Sequence, residues 1–270
     1  TAMRHTAKVL SYIFISSIVT SLVFAGDKKT EEELLKIKQN IILYDDTLIS
    51  EVDENLFDLE FWANHEETQL INKGRGKVLL INCQGLPSVL KHYYRGGLVS
   101  NFLSETYLWQ GERNARSIKE FMVLQEMFQA GLPVPRPIAA RVNRQGIFYT
   151  ADLITSRIDN SSSMGDLLRE NSMSSDLWKN TGSCIASFHM KGFYHHDLNI
   201  ENILIDSDQK VFLLDFDKAV QMDPSNSMAQ KNINRLQRSL NKNFSNPSKP
   251  FPKAEWEILI EEHSKQLHQD

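Results

Sequence analysis

The stretch "YHHDLNIENILID", residues 194–206, with "VFLLDFDKA" directly after it at 211–219, constrains the chain more than any other feature. Two short apolar runs, "NILID" and "VFLLD", are joined by the polar "SDQK". That pattern predicts two short strands. Asp197 and Asn202 lie five apart across the loop that leads into the first strand, and Asp215 follows Asp197 by 18 residues, at the end of the second. Three oxygen-bearing side chains thus fall at the ends of adjacent strands. Such donors suit Mg²⁺, which takes a few protein oxygens and completes its shell with phosphate and water. A zinc site fits less well. Zinc wants three or four nitrogen or sulfur ligands, and His195 and His196, being adjacent, tend to point apart.

The rest of the chain organises around this cluster. Residues 41–82 hold strand-like "NIILYDD" and "KVLLINC", and "PSVLKHYY" continues the pattern. Residues 111–131 read as a helix, with Ser117 as a cap and Glu120 three residues on, an apolar stripe of Phe121, Leu124 and Phe128, and Gly131 as its stop. "IAARV" and "IFYTADLI" form a hairpin around Asn143–Gly146. Asp176 to Met190 is helical, and most of the chain beyond the cluster is helical with a Pro-rich break at 246–252. Strands, one helix, strands and then helices predict an α+β fold with a sheet-rich first lobe and a helical second lobe.

Composition excludes several classes. A chain of 270 residues with 41% hydrophobic and 24% charged residues builds a core. A net charge of −4 argues against a nucleic-acid partner. Cys83 and Cys184 are too few and too far apart for a disulfide framework. Charge is uneven, however. Lys231 to Lys253 holds six Lys or Arg and no Asp or Glu. Residues 1–26, with Arg4 and Lys8 ahead of an apolar run from Val9 to Phe24, have the grammar of a signal peptide or a marginal membrane anchor. Residues 27–40 read as a charged linker or helix.

"HHDLNIEN" resembles the catalytic loop of protein kinases, H-R-D-L-x-x-x-N, and "DFD" at 215–217 resembles their D-F-G metal motif with Asp217 in place of the glycine. The resemblance implies a bilobal protein-kinase-like fold with ATP and Mg²⁺ as cofactors. Asp197 would be the base, His195 a brace for the loop, and Asn202 and Asp215 the metal ligands. It also asks for a strand lysine paired with a helix glutamate. Lys91 and Glu120 are the candidates, Glu126 being a rival further from the helix start. Gly74 and Gly76 in "NKGRGKVLL" would form a phosphate-covering loop, and Asp152 and Ile154 in "TADLIT" would offer hinge backbone to adenine. The lobes would meet at 152/153, giving a first lobe over 41–152 and a second over 153–270.

No A-P-E segment follows "DFDKA", which points away from a protein acceptor. "KGRG", "KHYYRGGL", "ARSIKEF", "QEMFQAGLPVPRPIAARV", "HHDLNIENILI", "VFLLDFDKA" and "NRLQRSL" together resemble the 3-deoxy-D-manno-octulosonic acid (Kdo) kinases, relatives of the lipopolysaccharide core heptose kinases. That resemblance implies phosphorylation of the Kdo sugar of Kdo–lipid A at the cytoplasmic face of an inner membrane. The partners would be a lipid-linked anionic sugar and the membrane surface, with no nucleic acid. The signal-like start conflicts with that location; it reads equally as an anchor or as upstream reading-frame material. Arg95, Arg113 and Arg116 are interleaved with apolar residues, and Arg235 and Arg238 lie in the basic run; these are the candidate contacts to substrate or membrane. An aminoglycoside or choline kinase would share the loop but want an acidic acceptor pocket. A non-catalytic kinase-like module would have lost one of Lys91, Asp197, Asn202 or Asp215. A secreted binding protein would fail to bind Mg·ATP.

Overall fold

The computed structural model describes residues 32–65, 68–73, 76–93, 106–244 and 250–268. The first lobe contains strands β1 (Glu32–Ile37) and β2 (Asn40–Asp45), helix α1 (Leu59–Ala63), strands β3 (Gln69–Lys73), β4 (Gly76–Cys83), β5 (Leu86–His92) and β6 (Tyr107–Leu108), helix α2 (Arg116–Gln129), and strands β7 (Pro137–Gln145) and β8 (Phe148–Ser156). Seven of the strands form one antiparallel path, β1-β2-β7-β8-β5-β4-β3, and β6 adds to β8. Both faces are covered. Leu43 and Leu153 face the cluster built with Phe121 and Leu124 of α2. Ile42 and Ile154 face the cluster built with Phe57 and Trp62 around α1. Consecutive residues pointing to opposite buried faces are what make these strands read as unbroken apolar runs.

Residues 32–37, expected within a charged linker or helix, are instead edge strand β1, in register with β2 from Glu32 opposite Asp45 to Ile37 opposite Asn40. Helix-forming Glu, Leu and Lys yield here to backbone pairing, with Leu34 buried beneath. The charges also suit a sheet edge, where they discourage pairing with another chain. Ser117 does not cap α2. The cap is Ala115, two residues earlier, and the Ser117 hydroxyl donates to the Arg141 carbonyl at 2.8 Å.

The second lobe contains β9 (Ser161–Ser163), α3 (Met164–Arg169), α4 (Ser175–Met190), β10 (Phe193–Tyr194), β11 (Ile203–Asp206), β12 (Val211–Leu213), β13 (Val220–Gln221), α5 (Asn226–Asn243) and α6 (Lys253–Leu267). β9, β11 and β12 pair as a small sheet, and β10 pairs with β13. α4 and α6 pack closely at Gly182, where an added Cβ would sit 2.4 Å from the Leu259 carbonyl oxygen. Among the described residues no helix is long and apolar enough to cross a membrane.

Candidate active site

The β11–β12 hairpin brings two of the candidate oxygen donors together. Ile203 pairs with Leu213, and the Leu214 N–H donates to the Asn202 carbonyl at 2.9 Å. Asn202 and Asp215 therefore leave the open end of one hairpin side by side. Asp215 has φ of 67°, a left-handed conformation that Asp tolerates better than most residues but that still stores strain. The turn aims its carboxylate at the first lobe while Phe216 drops into the core against Phe188 and His195.

Lys91 of β5 is the meeting point. Its Nζ lies 2.6 Å from Asp215 Oδ1 and 3.1 Å from Glu120 Oε2. Glu120 is buried on α2 and also accepts from the Phe216 N–H at 3.1 Å and from the Tyr93 hydroxyl. Burial alone would lower the Lys91 pKa, but the Glu120 and Asp215 charges outweigh it and raise it. Burial likewise pushes Asp215 up, and the Lys91 ammonium more than reverses that. Lys91 and Asp215 thus hold each other ionised across the lobes.

The loop before β11 is braced from below. His195 is buried, and its Nδ1 accepts the Asp197 N–H at 3.0 Å. The ring proton therefore sits on Nε2, which donates to the Leu214 carbonyl at 2.6 Å. Burial lowers the His195 pKa and keeps the ring neutral, as this donor–acceptor arrangement requires. Asn199 and Asn202 both donate side-chain N–H groups to the Asp197 carbonyl, at 2.8 and 3.1 Å. Asp197 is thus fixed by its backbone while its carboxylate stays open to solvent, 2.9 Å from Arg235 Nη1.

Other candidate residues lie elsewhere. Gly74 and Arg95 fall outside the described residues; Gly76 is the first residue of β4, opposite Lys73. Asp152 and Ile154 are not hinge residues. They sit in the middle of β8, paired to β5 on one side and β7 on the other, so their backbone is already engaged. Asp152 is buried between His92 Nδ1 at 2.6 Å and Arg141 Nε at 2.9 Å. β8 runs past the expected boundary at 152 to Ser156, and residues 157–160 make the crossing to β9. Arg116 turns inward rather than to substrate or membrane: it pairs with Asp217 and donates to the Tyr107 hydroxyl at 2.8 Å. Arg113 is exposed in a short 3₁₀ turn, and Arg238 is exposed on α5.

Two side-chain partnerships carried no sequence signal. Asn232 of α5 accepts the His195 N–H at 2.8 Å, and Asp217 is Arg116's partner. Both act through tertiary docking of residues distant in sequence.

A family model described as "Lipopolysaccharide kinase (Kdo/WaaP) family" matches residues 59–263. The chain is 37% identical over 204 residues to a 3-deoxy-D-manno-octulosonic acid kinase of Vibrio vulnificus (strain CMCP6), covering 76% of this chain and 86% of that one. It is 38% identical over 205 residues to the protein of that name from Vibrio cholerae serotype O1 (strain ATCC 39315 / El Tor Inaba N16961), with the same coverage of each chain. For the one from Photobacterium damsela subsp. piscicida the figures are 33% over 228 residues, 84% of this chain and 95% of that one. Among solved structures, a crystal structure of WbdD aligns with a TM-score of 0.43 and 17% identity, over 73% of this chain and 45% of that one.

Proposed function

The chain belongs to the lipopolysaccharide kinase (Kdo/WaaP) family and is a phosphotransferase with an alcohol acceptor, and from that premise we propose that it moves the γ-phosphoryl group of ATP to a hydroxyl of the Kdo sugar on Kdo–lipid A. The observation that carries the reading is the convergence of Lys91, Glu120 and Asp215 beside the Asp197 loop. Each residue then has a task. Lys91, placed by Glu120, holds phosphate oxygens of the nucleotide. Asp197 orients the acceptor hydroxyl and accepts its proton as the oxygen bonds to phosphorus and the bond to the β-phosphate oxygen breaks, leaving ADP. His195 keeps Asp197 in place.

Mg²⁺ fits the donor set. Asn202 commits its side-chain N–H to the Asp197 carbonyl, which leaves the amide oxygen as a ligand, and Asp215 offers a carboxylate. Two hard protein oxygens suit a cation that completes its shell with phosphate and water. Bound there, it would neutralise phosphate charge. Adenine would meet the crossing at 157–160. The acceptor is lipid-linked and ATP is cytoplasmic, so the enzyme would work at the cytoplasmic face of the inner membrane as a peripheral protein.

The test is phosphotransfer from radiolabelled ATP to Kdo–lipid A, beside neutral sugars and aminoglycosides. Label is expected on the Kdo unit alone. Faster turnover of an aminoglycoside would overturn the reading.

A further inference from the structure

Helix α5 lies along the loop that carries the base, touching it at three points in matching order. Asn232 Oδ1 takes the His195 N–H at 2.8 Å, Arg235 Nη1 reaches Asp197 Oδ1 at 2.9 Å, and the Ser239 hydroxyl takes the Ile200 N–H at 3.3 Å. Residues 232, 235 and 239 share one face of a helix. The outer two contacts bind backbone and fix the helix. The middle one binds the carboxylate that would receive the acceptor's proton.

An exposed ion pair of this kind adds little to stability. Arg235 and Asp197 keep 45% and 55% of their side-chain surfaces open. Among the described residues Arg235 makes no other hydrogen bond, so most of its five N–H donors remain for a ligand. No acidic residue occurs between Lys231 and Lys253, so Arg235 has no acidic neighbour along its own helix. Lys231 and Arg238, one turn either side, extend the positive strip in the open.

We infer that Arg235 is the specificity-determining residue for the acceptor: its guanidinium stays on Asp197 through Nη1 and binds a carboxylate of the acceptor sugar through its remaining donors. This rests on the proposed function and deepens it. Planar, paired N–H donors match a carboxylate as an ammonium does not. One side chain then ties the acceptor's acid group to the base, which sets the reacting hydroxyl beside the free Asp197 oxygen. A neutral sugar of the same shape lacks the tether. The bond changes are those of ordinary transfer, and Arg235 gives up no proton.

The experiment uses the full chain with Mg·ATP and two acceptors, Kdo–lipid A and the same lipid with its Kdo carboxyl groups reduced to alcohols. Wild type, Arg235→Gln and Arg235→Lys are compared by kcat/KM, with thermal melts to check folding. Wild type is expected to prefer the acid by about 100-fold, the scale of charge-assisted hydrogen bonds to one group. In Arg235→Gln that ratio should fall to about threefold or less, with KM for ATP within about twofold, and Arg235→Lys should recover roughly a tenth of the lost preference. Equal loss on both acceptors would make Arg235 a structural clamp on the base and overturn the inference. A gain on both would make it a cover over the base, with the same result. Wild type turning over both acceptors equally would overturn the inference and leave the proposed function standing. No wild-type turnover of Kdo–lipid A would remove both.

Discussion

At the scale of single residues, the tasks proposed for Asp197 and Lys91 differ, and the two residues should fail differently. Asp197 is held through its backbone and offers only its carboxylate to the site. Asp197→Ala should lower kcat by about 10²–10⁴, the usual contribution of a positioned base. Nucleotide affinity, read by calorimetric titration of Mg·ATP, should change by less than about threefold. Glu120→Gln acts through Lys91: it removes one of the two charges that hold the ammonium in place. KM for ATP should rise by about tenfold, while the acceptor's KM stays near wild type. The meeting of these residues was legible because the loop is local in sequence: thirteen residues carry His195, Asp197 and Asn202, and the hairpin register adds Asp215. Asp152 and Ile154 were misplaced for a physical reason. An apolar strand does not announce where its pairing stops, and β8 continues four residues beyond Asp152.

At the scale of elements, the lobes are coupled by helix α2. Its first residue, Arg116, pairs with Asp217, two positions after Asp215, and stacks near Tyr93 and Tyr107. Asp217 therefore does with an ion pair what a glycine at that place would leave to backbone freedom. A double-mutant cycle of Arg116→Gln and Asp217→Asn, read by kcat/KM, should show a coupling energy of about 1–3 kcal/mol. Additive single effects would mean that the pair does not transmit between lobes. Packing makes a separate prediction at α4. Gly182→Ala would drive a methyl group into the Leu259 carbonyl, a backbone atom that cannot swing aside. Unfolding free energy in urea should fall by about 1–3 kcal/mol. Hairpins and the α4 helix were legible because apolar period and turn residues agree there. β1 was not, because its strand identity comes from pairing with β2 rather than from its own residues.

At the scale of the whole molecule, the order of strands and helices was enough to read the α+β, two-lobed plan, but not the buried polar chain that ties its last helix to the loop carrying His195 and Asp197. His263 of α6 bonds to His189 of α4 at 2.9 Å, His189 reaches Asn232 of α5, and Asn232 holds the His195 N–H. Tyr194 stacks on His189 from the loop side. Burial, with His263 beside it, lowers His189 to about 4, and burial lowers His263 to about 4 as well, from an ordinary value of 6.5. Both rings are neutral when folded, whereas the unfolded chain takes up their protons below pH 6.5. Above that pH they contribute no slope. As pH falls from 6.5 towards 4, folding stability should drop by about 1.4 kcal/mol per pH unit for each ring, with His195, lowered by burial, adding in the same direction. Urea unfolding at pH 7.5, 6.0 and 5.0 measures this. His263→Gln should flatten the lower part of that slope by about one proton's worth, and an unchanged slope would mean that the pair does not govern the acid limit of the fold.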